Sequence, residues 1–183
     1  LRPTSFVGYD TLECGAIVNA LICDGEVAER LEAGQEGEII LSTTPFYAEM
    51  GGEVGDTGII FAGESVARVL DTKAPEAGLT VHKVKIESGS FAVGEEVTAS
   101  VDAKRRASIA RNHTCTHILH AALREVLGAH VKQAGSYVGP DRLRFDFTHF
   151  EALTPEQIAQ VEELANSYIM QAIPTTRYET SLD

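Results

Sequence analysis

Asp102-Ala103-Lys104-Arg105-Arg106-Ala107-Ser108-Ile109-Ala110-Arg111-Asn112-His113-Thr114-Cys115-Thr116-His117-Ile118-Leu119-His120 begins the stretch, closed by Val126-Leu127-Gly128, in which the chain changes its periodicity. Asp102 suits an N-cap, helix-compatible sequence runs from Ala103 to Leu127, and Gly128 suits the position just past a helix end. Ile109, Ile118, Ala122, Leu123, Val126 and Leu127 supply apolar faces. The helix sets His113 and His117 four positions apart, on one face, with Cβ atoms roughly 5–6 Å apart. Two imidazoles so placed can both reach one zinc ion, at about 2.0–2.1 Å from each nitrogen. The same spacing also fits a pair of solvated or core histidines. His120 shares their face and fits either a third ligand or a residue packed beside the site. Thr116 stands next to the pair, while Cys115 turns to another face.

Before this helix the pattern is that of strands. Glu13 to Ile22, Glu38 to Thr43, Thr57 to Phe61, Glu64 to Thr72, Leu79 to Glu87 and Glu95 to Val101 are short β-rich runs separated by glycine-bearing turns. Val81-His82-Lys83-Val84-Lys85-Ile86 alternates most cleanly. Six such strands predict a small antiparallel barrel over residues 1–101. Within it, Thr44-Pro45-Phe46-Tyr47-Ala48-Glu49-Met50-Gly51-Gly52-Glu53-Val54-Gly55-Asp56-Thr57-Gly58 packs four glycines into a short loop. Glycine lets backbone amides approach a ligand and adopt positive φ; a long glycine-rich hairpin loop has the same composition.

After the helix, Val131 to Val138 is strand-like, Gly139-Pro140-Asp141 turns the chain, and Arg142 to Phe147 forms a second strand. Thr154-Pro155-Glu156-Gln157 has the form of a capping box with proline in the first turn, opening a helix to about Ala172 before Pro174. Thr176 to Leu182 resembles the start of a further strand. The predicted class is α+β: an antiparallel barrel, then residues 102–183 with the long H-x-x-x-H helix on an antiparallel sheet.

Composition narrows the functional classes. The chain has 183 residues, 44% hydrophobic and 23% charged, which suits a folded protein with a real core. No apolar run reaches the roughly 18 residues of a membrane span. Cys14, Cys23 and Cys115 are odd in number and irregularly spaced, which argues against a disulfide framework and for a reducing, cytoplasmic setting. A net charge of −12 excludes a whole-surface nucleic-acid binder. Phosphate contacts must come from a local patch, for which Lys104, Arg105, Arg106 and Arg111 are the candidates, followed by Arg142 and Arg144. A short basic cluster of this kind also fits a solvated helix face. The start at Leu1 without methionine, and the end at Asp183 within a strand-like run, lead us to expect a piece of a longer protein.

Three segments in order carry a family resemblance: the glycine-rich loop Thr44 to Gly58, the helix segment Arg111 to His120, and Leu143-Arg144-Phe145-Asp146-Phe147-Thr148-His149-Phe150. Together with Gly8-Tyr9-Asp10-Thr11-Leu12-Glu13-Cys14 they resemble alanyl-tRNA synthetase, from its β-barrel through the first part of its editing domain. Free-standing alanyl-tRNA editing proteins share these motifs, whereas threonyl-tRNA synthetases share the H-x-x-x-H editing fold without the glycine-rich motif.

The resemblance implies a site that hydrolyses seryl or glycyl esters wrongly attached to the acceptor end of alanine tRNA. It makes His113 and His117 the first two zinc ligands, Thr116 a hydroxyl close to the mischarged amino acid, and Gln133 and Ser136 residues lining the pocket. ATP and magnesium would serve only an aminoacylation domain outside the chain. Two departures stand out. The family pattern Gly-Gly-Gln is Gly51-Gly52-Glu53 here. The Cys-x-x-x-His that completes the family's zinc site is missing, so the chain is expected to fold without tightly held zinc and to lack editing activity until those donors are supplied. A non-catalytic tRNA-binding module and a truncated free-standing editing hydrolase are the competing readings.

Overall fold

The computed structural model describes residues 3–174. The first part is built from eleven strands: β1 (Ser5–Phe6), β2 (Glu13–Cys23), β3 (Glu26–Ala28), β4 (Arg30–Glu32), β5 (Glu36–Leu41), β6 (Thr43–Thr44), β7 (Gly58–Ala62), β8 (Ser65–Glu76), β9 (Leu79–Ser88), β10 (Ser90–Ala92) and β11 (Glu96–Val101). Helix α1 (Ala103–Leu127), β12 (Gln133–Val138), β13 (Leu143–Phe147) and helix α2 (Pro155–Met170) follow.

Six of the strands close a barrel in the order β2-β5-β9-β8-β7-β11, with β11 returning to β2 through pairs such as Val97↔Ala16. Every pairing around the ring is antiparallel. These strands coincide with the six runs read from the sequence. Closure leaves no open edge on the ring, which removes the unpaired backbone groups of an open sheet. Alternation then sends one row of each strand inward: Val84 and Ile86 are fully buried, while Lys83 and Lys85 face water.

The sequence pattern missed the short strands. β4 and β10 pair across one end of the barrel and contribute Leu31 and Phe91, both fully buried, to its core. β1 runs parallel to β6. β8 also extends beyond its apolar run, to Glu76, where it is still paired with Leu79. Residues 73–76 are exposed, so hydrophobic periodicity could not reveal them.

His82 occupies the inward row of β9 with Val84 and Ile86 and is fully buried. Its Nδ1 donates to the carbonyl of Ile39 at 2.8 Å, so its Nε2 accepts from the Thr44 hydroxyl at 2.7 Å. The Thr44 oxygen in turn accepts from the amide of Phe46 at 3.1 Å. Burial pushes the His82 pKa down to about 4, so the ring is neutral at ordinary pH.

Asp102 caps α1 by accepting from the Arg105 amide, and Gly128 takes φ 114° at the other end, where its amide bonds Arg124. At α2, Thr154 and Gln157 form a reciprocal capping box with Pro155 in the first turn. A second core lies between α1, α2 and the β12–β13 hairpin, around Ala122, Leu123, Val131 and Val161. The strand expected over Thr176 to Leu182 lies outside the described residues. No helix among the described residues is long and apolar enough to cross a membrane.

Candidate functional site at the junction of loop, helix and hairpin

The glycine-rich loop does not hang free from the barrel. Gly51 to Val54 lies along β12, with Glu53 and Val138 forming a parallel bridge. The Val138 amide donates to the Gly52 carbonyl at 2.8 Å, and the Val54 amide donates to the Val138 carbonyl at 3.0 Å. Glycine is required at residue 52: φ is +90°, and a Cβ there would sit 2.3 Å from the Ser136 carbonyl oxygen. Gly51, with φ +63°, has nothing within 4 Å of an added Cβ. The polar residues of β12 join this contact, since Gln133 Nε2 donates to Ser136 Oγ at 3.1 Å and Ser136 Oγ donates to the Gly51 carbonyl at 3.2 Å.

The loop is also tied to the start of α1. Arg106 Nε lies 3.0 and 2.9 Å from the two carboxylate oxygens of Asp56, and its Nη2 completes a fork to the same group. The remaining donors reach the carbonyls of Gly8 at 2.9 Å and Pro45 at 3.0 Å. Asp56 is only 2% exposed and further accepts from the Tyr47 amide at 2.7 Å. Arg105 Nη1 donates to the Gly55 carbonyl at 2.8 Å. Two of the four cations read as a phosphate patch are thus occupied at this junction. Lys104 and Arg111 remain on the exposed face, Arg111 with a bond to the Ser108 hydroxyl.

His113 and His117 sit side by side on α1, ring centroids 5.1 Å apart and tilted by 32°. His113 Nδ1 is hydrogen-bonded to a carboxylate oxygen of Glu53. Burial, then the neighbouring His113 and His120, pushes the His117 imidazole below its usual pKa. Thr116 is 7% exposed, and its hydroxyl donates to the Asn112 carbonyl one turn back at 2.9 Å. Its proton is therefore already used, and it meets any substrate only as an acceptor, through its lone pairs. His120 turns toward the hairpin, with its ring 5.1 Å from that of Phe145. Asn112 donates to the Gly139 carbonyl at 2.7 Å and so ties α1 to the end of β12.

The donor set decides how far zinc fits. The two imidazoles make one edge of a metal site, but no group of three or more His, Cys, Asp or Glu side chains that could hold a metal ion occurs among the described residues. Cys14 and Cys23 are free thiols on β2, and Cys115 is a free thiol on α1. A protein zinc site needs at least three protein ligands, so the described residues do not complete one. Two residues that organise the site were not candidates from the sequence. Asp56 had no visible signal, whereas Glu53 carried one, as the acidic residue in a glycine motif where the resembling family has glutamine.

A closed six-stranded barrel whose glycine-rich loop docks on a histidine-bearing helix and a polar hairpin is the arrangement to set beside known proteins. Residues 2–105 match the family described as tRNA synthetases class II (A), and the chain belongs to that family. Among curated relatives, the alanine–tRNA ligase of Roseiflexus sp. (strain RS-1) is 48% identical over 181 residues, 99% of this chain and 20% of that protein. The alanine–tRNA ligase of Pelotomaculum thermopropionicum is 49% identical over 98% of the chain. That of Acetivibrio thermocellus is 50% identical, again over 98%. The chain spans about a fifth of the length of these relatives.

Proposed function

We propose that this chain is the part of an alanine–tRNA ligase that couples a β-barrel, residues 1–101, to a hydrolytic editing unit beginning at residue 102. The observation that carries the reading is the convergence of Gly51, Gly52 and Glu53 with His113, Gln133 and Ser136, drawn from three elements far apart in sequence. The substrate is a seryl or glycyl ester on the acceptor end of alanine tRNA. In the reaction a water oxygen bonds to the ester carbonyl carbon, the bond to the terminal ribose oxygen breaks, and that oxygen takes up a proton. Gln133 and Ser136 offer hydrogen-bonding groups for the amino acid, and a site of that kind discriminates by leaving its polar groups unpaired with the wrong substrate. Lys104 and Arg111 supply the exposed charge for RNA phosphates.

Zinc, in this reading, takes His113 and His117 as two of its ligands and its remaining donors from outside the described residues. ATP and magnesium belong to the aminoacylation part of such a ligase, and the setting is cytoplasmic. A second reading is a module that holds tRNA without hydrolysing its ester, for which the exposed Lys104 and Arg111 on α1 would supply the contacts to RNA phosphates.

Seryl-tRNA deacylation separates the two. Carried in place of the matching fifth of the Roseiflexus ligase, the chain should deacylate seryl-tRNA, and His117→Ala, which removes a zinc donor, should slow it by at least the roughly 10- to 100-fold that loss of an outer-shell partner costs a metal site. An unchanged rate in that variant would refute the zinc-assisted hydrolytic reading, and no deacylation by the unaltered chain would leave the tRNA-holding one.

A further inference from the structure

Glu53 is held more firmly than a loop side chain ordinarily is. Its backbone bridges Met50 on one side and Val138 on the other, and its side chain is 12% exposed. The two glycines before it let the backbone run against Ser136, where a Cβ at residue 52 would meet the Ser136 carbonyl at 2.3 Å. This close approach delivers the carboxylate to Nδ1 of a histidine that lies 60 residues away in sequence and is itself about half exposed. Among the described residues, Glu53 makes no other ion pair at 4.0 Å or less.

A carboxylate has no proton to give at neutral pH, so the bond requires Nδ1 of His113 to carry the hydrogen. The lone pair of the neutral ring then lies on Nε2. Which nitrogen of a histidine is available to a ligand or a proton is set by the hydrogen bond that the other nitrogen makes. In metal sites a carboxylate in this position also fixes ring orientation and raises ligand basicity.

We propose that Glu53 is a positioning residue: through its hydrogen bond to Nδ1 it holds His113 in the Nδ1–H tautomer and presents the Nε2 lone pair beside His117. The barrel loop thereby sets the state of a histidine on the helix. This rests on the functional reading above for its consequence, but the tautomer itself is a property of the chain alone.

The test is the 15N spectrum of the histidine side chains of the chain at a pH where imidazole is neutral. In the wild type, His113 should be mainly the Nδ1–H form. Glu53→Ala should move it toward the Nε2–H form, and Glu53→Gln, whose amide oxygen still accepts, should keep it as Nδ1–H. The protection of the Val138 amide, measured in each variant, reports whether the loop has stayed docked. A wild-type His113 in the Nε2–H form, or an unchanged tautomer in Glu53→Ala with the loop docked, would overturn the proposal. If the tautomer responds as stated while seryl-tRNA hydrolysis ignores His117, the functional reading fails and the positioning role stands.

Discussion

Gly51 and Gly52 form a matched pair for testing whether the loop is a built part of the site. Both have positive φ, +63° and +90°, so alanine at either incurs backbone strain, of order 1–2 kcal/mol for a left-handed residue. Only residue 52 adds a collision, because its Cβ would stand 2.3 Å from the Ser136 carbonyl oxygen and 2.8 Å from Ser136 Oγ. The carbonyl belongs to a paired strand and cannot rotate away, so the loop must lift. Lifting breaks the bonds between Val138 and Gly52 and between Val54 and Val138. At roughly 0.5–1.5 kcal/mol each, these represent about 1–3 kcal/mol. Hydrogen exchange at the Val138 and Val54 amides reads this directly. Gly52→Ala should lower their protection roughly 5- to 150-fold relative to Gly51→Ala, while the barrel amides keep theirs. Seryl-tRNA hydrolysis by the ligase carrying the chain should fall in the same order. Equal protection in the two variants would show that the loop contact does not depend on the glycine, and the reasoning would fail.

Two further outcomes follow from the buried polar groups. Arg106→Ala strands the Asp56 carboxylate, 2% exposed, and should cost about 3–5 kcal/mol in denaturant unfolding; Arg106→Lys should recover little, since an ammonium cannot reproduce the fork, and a loss below about 1 kcal/mol would mean that the pair is not a structural tie. His82, with a folded pKa of about 4 against 6.5 in the unfolded chain, leaves stability intact above pH 6.5 and erodes it as pH falls, because the unfolded chain then binds a proton that the fold refuses. Between about pH 7 and pH 5 its share of the loss is about 2 kcal/mol, so His82→Gln should flatten that part of the stability profile, and an unflattened profile would show that the ring is protonated in place.

Much of the architecture is written locally. Period-2 runs such as Val81 to Ile86 announce the barrel strands because a strand's two faces meet different surroundings residue by residue. Asp102 and Thr154 announce helix starts because a cap is satisfied within three residues, at Arg105 and Gln157. The adjacency of His113 and His117 needs nothing beyond one helical turn. Other features exist only once the barrel has closed. Asp56 and Arg106 are 50 residues apart, Glu53 and His113 60, and Ser136 and Gly51 85, and no pattern along the chain links the members of these pairs. Tertiary structure took Arg105 and Arg106 from an apparent cationic face into the junction and turned His120 toward Phe145. The physical reason is the same in each case: periodicity and capping record what a residue does with its neighbours in sequence, whereas the partner of a polar side chain is chosen by whichever distant surface the fold brings within about 3 Å.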